Sequence, residues 1–127
     1  MQSNMGKLKA IAVEFLQLTA AGQAPAAFER YAAPGFRHHN VHFKAGAATL
    51  RDAMQENAAQ FPDKVLEIQR ALEDGSLVAV HSRVSMDKDG PTMALAHVFR
   101  FEGGRIVELW DIGQAVPPDS PNSDGAF

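Results

Sequence analysis

At 127 residues and 13.7 kDa the chain has the usual size of one domain, and it can bury about 65–70% of its unfolded surface without staples. It has no cysteine, which excludes disulfides, thiolate metal sites, iron–sulfur clusters and cysteine nucleophiles. With 46% hydrophobic and 21% charged residues it is not a disordered chain, and 15 acids against 12 bases give a net charge of −3 and no basic footprint for nucleic acid.

The N-terminus does not read as a targeting signal. Met1–Gly6 is polar, and Lys7, Lys9, Glu14 and Gln17 interrupt the apolar residues after it. No stretch reaches the roughly 20 apolar residues of a membrane helix. A soluble, cytoplasmic domain covering residues 1–127 is expected, with no nucleic-acid or membrane partner.

Residues 1–63 read as mainly helical. Leu8, Ile11, Ala12, Phe15, Leu18 and Thr19 fall at three- and four-residue spacing, the stripe of an amphipathic helix. Asn4 or Ser3 can cap it and Gly22 can end it. Pro25 opens a second helix through Phe28 and Tyr31 to about Ala33, stopped by Pro34-Gly35. Phe36–Asn40 is a short extended piece. Ala47 to Gln60 is a third helix with Leu50, Met54 and Phe61 on one side, closed by Pro62-Asp63.

Residues 64–114 change to period two. Strands are expected from Val65 to Leu72, Leu77 to Met86, Thr92 to Phe101 and Arg105 to Gln114, separated by turn clusters at Asp74-Gly75-Ser76, Asp87–Pro91 and Glu102-Gly103-Gly104. Helices first and hairpins afterwards predict an α+β fold, with helices packed on one face of a curved antiparallel sheet. Residues 115–127 read as an irregular tail whose last phenylalanine suggests a docked tip.

The informative polar residues lie on otherwise apolar strands. His97 shares a face with Met93, Leu95, Phe99 and Phe101, and a buried polar group needs a partner. With a two-residue Gly103-Gly104 turn, His97 would oppose Trp110 and Asp111 would point away. With a three-residue Glu102-Gly103-Gly104 loop, His97 opposes Leu109 and Asp111 joins its face one diagonal step off. Glu-Gly-Gly favours the second register, which also gathers Trp110, Ala94, Ala96 and Val98 on the other face. That second apolar face suggests a homodimer. If Met86 opposes Thr92, His81 lies opposite His97.

A histidine and an aspartate in an apolar pocket form an acid–base pair suited to proton abstraction beside a carbonyl, with no metal, thiol or organic cofactor required. The other reading is a core histidine bonded to a buried aspartate that holds the hairpin. In His38-His39-Asn40-Val41-His42, neighbouring strand residues point to opposite faces, so His38 and His39 cannot chelate one ion, and no third ligand supports His38 and His42. His39 is expected to enter the cavity, with His38 and His42 at the surface or in turns. His97 and Asp111 are therefore the expected catalytic pair. His39, His81, Phe15, Met54 and Phe99 are the expected binding residues for a small apolar molecule.

The segments Arg37–Asn40, Gly75–His81, Ala96–Gln114 and Pro117–Phe127 resemble the SnoaL-like polyketide cyclase family. The Phe99-Arg100…Gly104…Glu108-Leu109-Trp110-Asp111 stretch carries most of the resemblance. The family implies a cone-shaped α+β roll, nuclear-transport-factor-2-like and cystatin-like, with a curved sheet around a deep pocket and usually a dimer. It also implies an aldol-type ring closure in which positions matching His97 and Asp111 act as acid and base, and His39 matches a pocket histidine. The chain departs from many relatives at Val41, where they carry proline.

Overall fold

The helical stripe of the first segment forms α1 (Lys7–Ala20), whose buried residues are Ala12, Phe15, Leu16 and Thr19. The computed structural model describes residues 6–127, so the expected caps Ser3 and Asn4 lie outside the described residues. At Gly6 no side chain of α1 itself caps the helix. Its third amide is served from afar: Glu73 Oε1 accepts from Lys9 N at 2.8 Å, placing a carboxylate at the positive end of the helix.

Helix α2 (Ala24–Tyr31) starts with Pro25 in its first turn, where a missing N–H is harmless. Helix α3 (Ala47–Gln60) locks the corner between α1 and α2 through one side chain. Gln55 Oε1 accepts from Ala24 N at 3.0 Å, and Gln55 Nε2 donates to the Gly22 carbonyl at 2.8 Å.

The sheet contains β1 (Ala32–His38), β2 (Val65–Asp74), β3 (Leu77–Ser85), β4 (Thr92–Glu102) and β5 (Arg105–Val116), in the order β1-β5-β4-β3-β2. The antiparallel meander is as expected, and β1 adds a parallel edge strand beside β5. Pro34-Gly35 lies inside β1 and does not end α2. An edge strand tolerates the missing amide of Pro34, and Gly35, with φ 78°, falls where the pairing with β5 shifts register.

The helices cover the inner face of the sheet. Phe15 meets Phe28 at 5.1 Å and Phe99 at 5.9 Å between ring centroids, and Phe28 meets Phe36 at 5.4 Å. Phe15, Phe99, Leu50, Ile106 and Leu109 are each at most 1% exposed. Burying each such side chain contributes about 1.5–3 kcal/mol. No helix among the described residues is long and apolar enough to cross a membrane.

Both hairpin registers differ from expectation. Ser85 pairs with Thr92, one residue away from the expected Met86–Thr92 alignment, so His81 pairs with Ala96 and points outward, away from His97. The β4–β5 turn is the tight two-residue form: Gly103 and Gly104 both have positive φ, 59° and 78°, and Glu102 pairs with Arg105. The extra residue appears just beyond the turn. Phe101 pairs with Ile106 and Arg100 with Glu108, so Val107 is a bulge. The bulge restores the parity that the short turn would have lost, and His97 comes directly opposite Asp111.

The tail after β5 has no regular structure, but its end returns to the sheet. The Phe127 ring stacks on His81 at 5.8 Å, and the Arg83 guanidinium lies over it at 5.3 Å.

Candidate functional site

Three strands bring the inner polar groups together. From β4, His97 Nε2 lies 3.2 Å from Asp111 Oδ1 of β5. Just past β1, Asn40 Nδ2 donates to Asp111 Oδ2 at 2.7 Å. Asn40 is held in turn, since its Oδ1 accepts from His42 N at 3.0 Å. Both carboxylate oxygens of Asp111 are thus engaged by groups that favour its charge. Burial pushes the Asp111 carboxyl up, but His97, Asn40 and the nearby His38 together outweigh burial and hold it below its ordinary value.

An ionised carboxylate only accepts hydrogen bonds, which favours the proton on His97 Nε2. Nδ1 of neutral His97 is then the free basic lone pair. It is buried without a hydrogen-bond partner among the described residues, and His97 is 4% exposed. Phe99 flanks the imidazole at 6.2 Å between centroids. The arrangement is a histidine whose far nitrogen is oriented by a carboxylate and whose near nitrogen is open to take a proton.

The two neighbouring histidines exchange their expected places. His38 pairs with Leu109 of β5 and is buried on the inner face. Its Nε2 donates to the Lys44 carbonyl at 2.9 Å and its Nδ1 accepts from Asn40 N at 3.2 Å. It therefore shapes the loop that delivers Asn40. His39 points outward, where its ring stacks on Trp110 at 5.0 Å with an interplanar angle of 10°. His39 Nε2 also contacts Glu108 Oε2 at 2.6 Å. The physical reason is the alternation of strand side chains combined with the parallel pairing, which assigns Arg37 and His39 to the Glu108–Trp110 face. His81 also lies outside, where Arg70 contacts its Nδ1. His39 and His81 both lie on the opposite face of the sheet from His97.

The apolar residues named for binding divide as well. Phe15 and Phe99 are fully buried core, whereas Met54 is half-buried beside that core. An open cleft of about 710 Å³ lies between α2, β1 and α3, lined by Phe28, Pro34, Ala47, Arg51 and Arg105 among others. A smaller one of about 260 Å³ lies beside Gln17, Ala21, Lys64 and Leu66. Neither is lined by His97 or Asp111. Among the described residues no three His, Asp or Glu side chains converge as a metal site would require.

Sequence reasoning missed Asn40, His38 and Ser82. Ser82 Oγ is buried and unpartnered on the inner face. Its signal was present: in the row Val78, Val80, Ser82, Val84 it is the one polar residue among the four buried positions.

No curated protein matches the chain by sequence. Its fold is shared with solved structures. AclR, a candidate hydroxylase from Streptomyces galilaeus, superposes with TM-score 0.73 at 20% identity over 87% of this chain and 90% of its own. IdmH, a candidate polyketide cyclase from Streptomyces antibioticus, gives TM-score 0.68 at 20% identity over 84% of this chain and 91% of its own. A cystatin-fold protein from Novosphingobium aromaticivorans gives TM-score 0.69 at 20% identity over 88% of this chain and 99% of its own. The family model of the SnoaL-like domain matches residues 12–109, from the first helix to the strand that carries the carboxylate, and the chain belongs to that family.

Proposed function

We propose that the chain is an acid–base enzyme acting on a small, mostly apolar carbonyl compound, as an aldol-type cyclase, isomerase or dehydratase. The observation that carries this reading is the inner pair: His97 with Nδ1 unpartnered, and Asp111 ionised behind it. In this role His97 Nδ1 takes a proton from the carbon beside the carbonyl. Asp111 steadies the imidazolium that forms, and Asn40 fixes Asp111. No cofactor is called on. The candidate polyketide cyclase among its structural relatives supports the same reaction class. His97 is buried and the Asp111 side chain is 16% exposed, so a ligand would approach the pair from the Asp111 side.

One observation favours a structural or purely binding role instead: Phe15 and Phe99, expected as pocket walls, have no exposed surface. Turnover on a panel of enolisable ketones separates the two readings. The enzyme reading expects activity that Asp111→Asn removes; unchanged rates in that variant would overturn it.

The outer face supports a homodimer. Ile112 is 60% exposed there beside Trp110 and Val98, and Leu77 and Leu72, at 43% and 65%, continue the apolar surface. Sedimentation should find a dimer that Ile112→Asp converts to monomer; a monomeric wild type rejects the assignment.

A further inference from the structure

Among the described residues, two buried polar atoms on the inner face find no hydrogen-bond partner: His97 Nδ1 and Ser82 Oγ. Ser82 is 0% exposed and His97 4%. The β3–β4 register relates them. Ser82 pairs with Leu95 and Val80 with His97, so the two residues are diagonal neighbours on adjacent strands with side chains on one face. Leu95 leans the other way, over β5: its Cδ2 lies 2.5 Å from where a Cβ on Gly113 would stand. An unsatisfied buried hydroxyl is costly, and an alanine in the same row would avoid that penalty without changing the packing pattern. The two groups are also complementary, since a serine hydroxyl donates and the Nδ1 of neutral His97 accepts.

We propose that Ser82 and His97 together hold the reacting edge of an enolisable carbonyl compound, with Ser82 Oγ–H on the carbonyl oxygen and His97 Nδ1 at the neighbouring C–H. This rests on the acid–base reading above and adds the group that binds the oxygen. In the step, the Nδ1 lone pair forms an N–H bond as the C–H bond breaks. The C–H electrons become the new carbon–carbon π bond, and the carbonyl π pair moves to the oxygen. Ser82 keeps its proton and stabilises the resulting enolate by hydrogen bonding, while Asp111 faces the new imidazolium. The ligand class follows: a ketone, aldehyde or ester with an α-hydrogen, whose stable mimics are phenols.

Ser82 Oγ has no protein partner among the described residues, which makes the test sharp. Ser82→Ala removes no hydrogen bond among the described residues, so its melting temperature should equal or exceed that of wild type. Its turnover of enolisable ketones should fall about 10²–10³-fold, chiefly in kcat, as when one oxyanion donor is lost. Its affinity for 4-nitrophenol and 2-naphthol, measured by calorimetry, should fall in parallel. Ser82→Thr, which keeps the hydroxyl, should retain more of both than Ser82→Ala. Undiminished phenol affinity and turnover in Ser82→Ala overturn the proposal and point to water as the only occupant. So does a wild-type protein that binds neither phenol, and so does a lowered melting temperature with affinity intact. Asp111→Asn separates the two levels. If it abolishes turnover while Ser82→Ala does not, only the Ser82 assignment falls. If it leaves turnover intact, the acid–base reading itself falls, and phenol affinity alone decides whether Ser82 binds an oxygen.

Discussion

The two faces of the β4–β5 hairpin solve the same problem differently. Each sets a carboxylate close to a histidine, Glu108 buried and Asp111 half-buried. Outside, Glu108 is surrounded: its Oε1 meets Arg37 at 3.3 Å and Arg100 at 3.0 Å, and its Oε2 meets His39 at 2.6 Å. The His39 contact foremost, aided by both arginines, holds the Glu108 carboxyl below its ordinary value against the effect of burial. Inside, Asp111 is also served on both oxygens, yet Nδ1 of His97 opposite it, and Ser82 Oγ one strand further on, find no partner among the described residues. A polar cluster that closes on itself organises a surface. A cluster that stops one bond short, in a buried apolar setting, is where a ligand's polar atoms fit.

The sharpest way to break that contrast is to neutralise each carboxylate in place. Asp111→Asn should reduce turnover on enolisable ketones by about 10²–10⁴-fold, the usual worth of a positioned acid–base group. Glu108→Gln should leave turnover unchanged and lower the melting temperature. The reverse pattern in a ketone assay and a thermal melt would move the functional site to the outer face. The next effect is on stability. Phe15→Ala removes a ring that touches both Phe28 and Phe99, and denaturant unfolding should show a loss of about 3–5 kcal/mol.

Acid titration tests both faces at once. Each carboxyl is more acidic folded than unfolded, so each contributes stability that is present above its unfolded value and lost as pH falls through the folded one. The ordinary values are 4.5 for Glu108 and 3.8 for Asp111, so stability should decline from just above pH 4.5 downward. Asp111→Asn and Glu108→Gln should each flatten part of that decline, and a profile unchanged in both variants would contradict the ion contacts. The smallest effect concerns the turn that aligns the faces. Gly104→Ala forces a side chain onto φ 78° and should cost about 1 kcal/mol, with the β4–β5 register retained in amide-exchange patterns.

The alternation in β4 and β5 made the meeting of His97 with Asp111 on one face legible, because a lone histidine on a bulky apolar row needs a partner. Their juxtaposition arises by another route than the expected loop: the two-glycine turn alone would oppose His97 to Trp110, and the bulge at Val107 restores Asp111. No local feature of Ile106-Val107-Glu108 announces that bulge. His81 was misplaced by one residue of register in the Asp87–Pro91 turn. His38 and His39 were interchanged because the parallel pairing of β1 with β5 joins residues 71 apart in sequence, Arg37 with Glu108 and His38 with Leu109.

By itself the sequence determined the three helices, the four-strand meander, the apolar rows and the residue types able to carry proton transfer, since these depend on periodicity and local turn chemistry. Only the tertiary structure decided which face each histidine occupies. A strand's side chains alternate with period two, so one bulge or one slipped pair reverses inside and outside for every residue beyond it. It likewise brought Asn40 into contact with Asp111 and set Ser82 one diagonal from His97, placements that exist only once the sheet has formed.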